Sequence, residues 1–145
     1  MASLEKKHQN EWAKEILVHL GIWSERIVDT PYLSSNGFVT QKKRFDRLIC
    51  MRGIAAEFKF VKGPTFPLWS WRENEKSKHQ FRSLMAFHDG KNRFGALIFF
   101  WHPRGKRDIQ IRYLLAPECA EPRHAAMDVC HNESELYKLM ESLRG

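Results

Sequence analysis

Asp46, Glu57 and Lys59 are the side chains of this sequence best placed to do chemistry together. They follow the pattern D-x10-E-x-K, and Glu57 and Lys59, two apart, share a face if the segment is a strand. Two carboxylates on adjacent strands make an oxygen-rich site for a hard cation such as Mg²⁺, which keeps several waters of its own. Such a cation polarises a phosphoryl oxygen and acidifies a bound water, while a neighbouring lysine can hold that water or stabilise developing phosphorane charge. Phosphodiester hydrolysis needs these parts. The plainer alternative is a solvated strand face on which Asp46 is a salt-bridge partner. Context favours chemistry: Ala55 leaves room on that face. From Lys42 to Lys62, seven basic residues (Lys42, Lys43, Arg44, Arg47, Arg52, Lys59 and Lys62) enclose two acids, Asp46 and Glu57.

The elements that must position the three residues form a hairpin: Arg44 to Met51, a turn at Arg52-Gly53, then Ile54 to Val61. In the second arm Ile54, Ala56, Phe58 and Phe60 fall on one face, and Ala55, Glu57, Lys59 and Val61 on the other. Gly63-Pro64 ends it. Before the hairpin, Leu4 to Leu20 reads as a helix with an apolar stripe of Trp12, Ile16, Leu17 and Leu20, stopped at Gly21. Arg26 to Thr30 is a short strand, followed by a loop through Pro31 and the turn cluster Ser34-Ser35-Asn36-Gly37. After the hairpin, Glu75 to His88 predicts a helix stopped near Asp89-Gly90. Phe94 to Trp101 predicts a central strand buried on both faces, and Ile109 to Leu115 another strand. Asn132 to Leu143 is an amphipathic helix with Asn132 as N-cap and Glu135 at the capping-box position. The order αβββαββα implies an α/β fold around a mixed sheet.

At 145 residues, without repeat or linker, the chain predicts a single domain spanning residues 1–145. The longest apolar run, Ala96 to Trp101, is far short of the ~20 residues that span a bilayer, which argues against a membrane partner. Leu4 leads straight into Glu5, Lys6, Lys7 and His8, unlike a secretory leader, and the three cysteines, without paired spacing, suit a reducing cytoplasm. A zinc site can be drawn from Cys119, His124, Cys130 and His131, but no CxxC or HxxxH spacing supports it. The net charge of +7 favours polyanionic partners, nucleic acid above all. There is no glycine-rich phosphate loop, and no convincing Ser/His/Asp or Cys/His arrangement; His102 and His131 have no evident catalytic partner.

With FDRLICMRGIAAEFK following the first helix, the chain resembles the PD-(D/E)xK nuclease superfamily. Thr65 to Leu68 (TFPL) and Lys78 to Leu84 (KHQFRSL) further resemble the RecU group of Holliday junction resolvases. That group has an FPL segment, a His-Gln pair opening a helix, then a glycine and an apolar strand. Phe66-Pro67-Leu68, His79-Gln80, Gly95 and Ala96 to Phe100 stand in those places here, so the resemblance runs from about Glu11 to Trp101.

The resemblance implies a restriction-endonuclease-like αβββαβ core, with a mixed central sheet flanked by helices. It implies that Asp46 and Glu57, with the Phe58 carbonyl, hold Mg²⁺, for which Mn²⁺ can substitute. Lys59 would be the catalytic lysine, Gln80 the glutamine beside the site, and Glu11 an additional acid from the first helix. It also implies branched DNA, a four-way junction, as partner, and a homodimer making two coordinated nicks. Residues of the first helix, or those around Trp69 and Trp71, could form the dimer contact. Lys43, Arg44, Lys62, Arg72, Lys78 and Arg82 would follow the DNA backbone, and the basic turn Arg104-Gly105-Lys106-Arg107 would touch phosphate. Two departures bear on junction preference. Only Pro31 to Arg44 is available for the group's long stalk, and Trp69 to Ser77 lengthens the connection between FPL and His-Gln. A nuclease of duplex or flap DNA therefore stays open, as does a basic nucleic-acid-binding module without catalysis. A protein-interaction domain would leave the acids at positions 46 and 57 unexplained.

Overall fold

The computed structural model describes residues 4–27, 30–34, 37–41, 45–51, 53–103 and 108–144. Its first helix, α1 (Leu4–Trp12), widens into a π-helical turn over Ala13–Leu17. There Val18 N–H donates to the Ala13 carbonyl (3.2 Å) and Ile22 N–H to that of Leu17 (2.8 Å), each five residues back. Gly21, at φ 71°, turns the chain through the left-handed region where the sequence predicts the stop. Next come β1 (Ser24–Arg26) and an antiparallel pair, β2 (Thr30–Ser34) and β3 (Gly37–Gln41). The loop expected at Pro31 is thus a strand of a two-stranded ribbon.

The central hairpin joins β4 (Arg47–Ile49) to β5 (Ile54–Val61). Its first arm is shorter than the Arg44–Met51 span predicted, because Cys50 and Met51 already turn at φ 57° and 51° and Asp46 leaves the ladder at the other end. After β6 (Thr65–Phe66), the stretch read as a plain connection forms α2 (Leu68–Glu73), and the predicted second helix begins later, as α3 (Lys78–Phe87). The chain ends with β7 (Phe94–Trp101), β8 (Gln110–Leu115), β9 (Ala125–Ala126), β10 (His131–Asn132) and α4 (Glu133–Arg144). The α4 N-terminus carries the predicted cap: Glu135 N–H donates to Asn132 Oδ1 at 2.9 Å.

Six strands form the main sheet in the order β1-β4-β5-β7-β8-β10. Only β5 and β7 run parallel, and β6, α2 and α3 supply the crossover this requires. Alternation splits the core in two. Ile54, Ala56, Phe58, Ile98 and Phe100 pack with Trp12, Leu17, Leu136 and Met140, which places α1 and α4 on one face. Ala55, Val61, Leu97, Phe99 and Trp101 pack with Leu68, Trp71 and Leu84, which places α2 and α3 on the other. No helix among the described residues is long and apolar enough to cross a membrane.

Gly95 lets α3 lie directly on β7, since a Cβ there would overlap the Leu84 carbonyl group. Gly95→Ala is expected to push α3 off the sheet and cost about 2–3 kcal/mol, read as a lower urea midpoint; an unchanged midpoint would contradict this packing.

His131 ties the Ala116–Cys119 turn to α4, with Nε2 2.8 Å from Glu118 Oε1 and Nδ1 3.2 Å from Glu135 Oε2. Burial alone would lower its pKa, but hydrogen bonds and charges from the two glutamates outweigh burial and raise it. The stabilisation is therefore full below the ordinary imidazole value of about 6.5 and fades as pH rises through the higher folded value. The melting temperature should fall as pH rises above about 6.5, with the slope flattened in His131→Gln.

Candidate active site

Because β5 alternates, Glu57 and Lys59 lie on the α2/α3 face, between Ala55 and Val61. Glu57 is 2% exposed and Lys59 half-buried. One step past the last β4–β5 pair, Arg47↔Ala56, Asp46 bonds to Ala56 and Phe58, the two residues that flank Glu57. Here the ladder changes. Asp46 N–H donates to the Ala56 carbonyl (2.9 Å), Ile27 N–H donates to the Asp46 carbonyl (2.9 Å), and Phe58 N–H donates to Asp46 Oδ2 (2.8 Å). The side chain thus substitutes for a strand carbonyl as partner of β5. A strand residue's N–H and C=O leave on the same edge, so the Phe58 carbonyl emerges on the Asp46 side, past the end of β4.

Two buried carboxylates and a main-chain carbonyl are hard oxygen donors suited to Mg²⁺ or Mn²⁺, with water completing the shell. Among the described residues no group of three or more His, Cys, Asp and Glu comes together, so Glu11 stands apart from Asp46 and Glu57. Glu11 is exposed on α1, whose buried side packs on the opposite core. In its place α1 sends Gln9 inward, and Gln9 Oε1 accepts a bond from Arg47 Nε at 3.2 Å. Gln80 does lie on α3, which packs over β5 and β7 on the Glu57 face. Its Oε1 accepts from Trp71 Nε1 at 2.7 Å, which orients the amide and leaves the NH₂ end to offer as donor.

Arg47 is the residue the sequence reading missed. It is 7% exposed, and besides Gln9 it donates to Ser24 Oγ (3.0 Å) and Asn10 Oδ1 (3.2 Å), strapping α1 and β1 to the strand that begins beside Asp46. Burial lowers its pKa, Arg26 adds to this and Asp46 opposes it. The available signal was parity, since Arg47 shares a face with the fully buried Ile49.

Of the expected DNA contacts, Lys62 is exposed at the end of β5, with its ammonium 6.0 Å from the Phe60 ring centre. Arg82 is exposed on α3, and Lys78 pairs with exposed Glu75 at 2.7 Å. Arg72 is engaged within the chain: its Nη1 donates to the carbonyls of Cys119 (2.7 Å) and Pro122 (2.6 Å), holding α2 to that loop. Lys43, Arg44, Arg104, Lys106 and Arg107 lie outside the described residues. Trp71 and Trp12 belong to the internal cores, whereas Trp69 is 52% exposed beneath the Arg123 guanidinium. Of the four residues drawn as a zinc site, Cys119 and Cys130 are buried. Burial pushes Cys119 up to about 12 and Cys130 to about 11, and their Sγ atoms donate to the carbonyls of Leu115 and Ala126.

No family model and no curated protein matches the chain in sequence. In structure it is similar to Archaeoglobus fulgidus Hjc, a Holliday junction resolvase from an archaeal hyperthermophile. The TM-score is 0.53 at 9% identity, covering 90% of this chain and 98% of Hjc. The likeness is one of fold, and in this chain that fold is a mixed six-stranded sheet with helices on both faces.

Replacing Arg47 with Met leaves the buried Gln9 amide and its neighbours short of a donor. A loss of about 2–3 kcal/mol is expected in urea unfolding, with Arg47→Lys restoring part of it; full stability in the methionine variant would remove the strap from the account.

Proposed function

We propose that this chain is a Mg²⁺-dependent endonuclease of branched DNA that resolves four-way junctions by paired phosphodiester hydrolysis. The observation that carries the reading is the bond from Phe58 N–H to Asp46 Oδ2. It holds one carboxylate on the residue next to Glu57, on the edge to which the Phe58 carbonyl also points. The likeness to a resolvase in fold supports the choice of substrate.

Asp46, Glu57 and the Phe58 carbonyl would hold the cation, which when bound supplies a polarised phosphoryl oxygen and an acidified water. The chain contributes orientation. Asp46 is anchored through its N–H, its carbonyl and its carboxylate, so little reorganisation is left for the moment of reaction. Lys59, two residues beyond Glu57 on the same face, can donate to a non-bridging phosphate oxygen or hold the attacking water in line. Gln80, oriented by Trp71, offers its NH₂ from α3 to the same phosphate. The products would carry 5′-phosphate and 3′-hydroxyl ends. Lys62, Lys78 and Arg82, together with Lys43, Arg44, Arg104, Lys106 and Arg107, would supply salt-sensitive phosphate contacts. Two symmetric nicks call for a two-fold pair of chains.

The test is cleavage of an end-labelled four-way junction beside matching duplex and flap DNA, in Mg²⁺ and in Mn²⁺. Paired nicks in the junction are expected, with Asp46→Asn and Lys59→Ala slower by at least ~10²-fold. Equal cutting of all three substrates would discard the junction assignment. Binding without cutting in either metal would sink the roles given to Asp46, Glu57 and Lys59.

A further inference from the structure

Beside the acidic pair lies a groove of about 620 Å³ between α3 and the start of β4, lined by Phe45, Leu48, Arg82, Ser83, Phe87 and Arg93. It belongs to the same sheet face as Glu57. Leu48 pairs with Ala55, two residues before Glu57, a separation of roughly 7 Å along the strand, and Phe45 directly precedes Asp46. The floor is aromatic. Phe45 and Phe87 meet edge to face with ring centres 5.7 Å apart, and both are half-buried, so each leaves ring surface open to the groove. The rim is cationic. Arg82 and Arg93 are exposed, no ion pair among the described residues engages either, and the Arg93 guanidinium sits 5.8 Å from the Phe87 ring centre.

We propose that this groove holds one unstacked nucleotide next to the phosphate to be cleaved, its base against Phe45 and Phe87 and its phosphate between Arg82 and Arg93. The choice of DNA rests on the nuclease reading above; the choice of an unstacked nucleotide rests on the groove. A duplex offers its phosphates outward and its base faces to one another, so cations alone would suffice for it. An apolar aromatic floor inside a concave site has no partner on such a surface, whereas it matches the face of a base released from the stack. The arginines serve twice, as phosphate donors and as planar stacking partners. The volume falls within the ~300–1,000 Å³ of small-ligand sites. No carboxylate lines the groove, in keeping with a polyanionic ligand on a chain of net charge +7.

Binding of the full chain in EDTA would be compared between a junction or flap carrying 2-aminopurine at successive positions near the branch and an uninterrupted duplex of equal length. Wild type is expected to change 2-aminopurine fluorescence at one or two positions only. Phe87→Leu and Arg93→Gln should weaken binding of the branched DNA about tenfold and of duplex less than about twofold. Equal losses on both substrates would mean plain phosphate contact and overturn the proposal, as would no loss on either. Arg93 is exposed, so Arg93→Gln decides the matter if Phe87→Leu melts early. Cleavage in Mg²⁺, assayed separately, tells the two readings apart. Base-selective binding by an inactive wild type would remove the nuclease and keep the groove. An active enzyme without base selectivity would do the reverse, and absence of DNA binding would remove both.

Discussion

The hydrogen bond from Phe58 N–H to the Asp46 carboxylate is the constraint around which the candidate site is organised. Placing a carboxylate at 5% exposure is costly unless its oxygens are given donors, and β5 supplies one where β4 stops pairing. The same substitution of side chain for strand carbonyl ends the β4–β5 pairing and holds Asp46 on the residue next to Glu57. Arg47 stands next in the chain and anchors that turning point from the other face, through Gln9, Asn10 and Ser24. Site and scaffold are coupled at consecutive residues.

The strand's period of two separates stability from chemistry. On one face of β5, Ile54, Ala56 and Phe58 complete an apolar core with α1 and α4. On the other, Ala55 and Val61 keep contact with the second core, while Glu57 and Lys59 occupy the positions between them. Small residues make the second face workable. Ala55 takes little room beside Glu57, and Gly95 on the neighbouring strand allows α3 to settle against the sheet, bringing Gln80 and Arg82 over the site's face. A single strand can thus sit in the centre of the fold and still carry two charged groups.

Much of this was legible in the residues. The sequence predicts the β5 arm and the Phe94–Trp101 strand with the bounds observed, because near-continuous apolar runs punctuated by glycine and proline leave little choice. The Gly21 stop and the Asn132 cap were equally plain, since each has a local mechanism. Other features were not local. In the β2–β3 ribbon, proline and serine speak for turns, while the pairing is a relation between two segments. The carbonyl partners of Arg72 lie some fifty residues on, beyond the reach of any local pattern. Glu11 and Gln9 are two apart on one helix, and only the docking angle of α1 decided which turned inward.

By itself, then, the sequence determined the elements, their alternation, and a D-x10-E-x-K set whose types suit metal-assisted hydrolysis, because period, punctuation and side-chain chemistry are properties of short segments. The tertiary structure decided which of the charged residues act together. It bent Asp46 out of its ladder onto Phe58, sent Arg47 into the α1 face, spent Arg72 on carbonyls, and gathered Phe45, Phe87, Arg82 and Arg93 into one groove. The reason is burial: a charged group taken from water must find its partner in whatever segment packs against it, and packing is set by the whole chain.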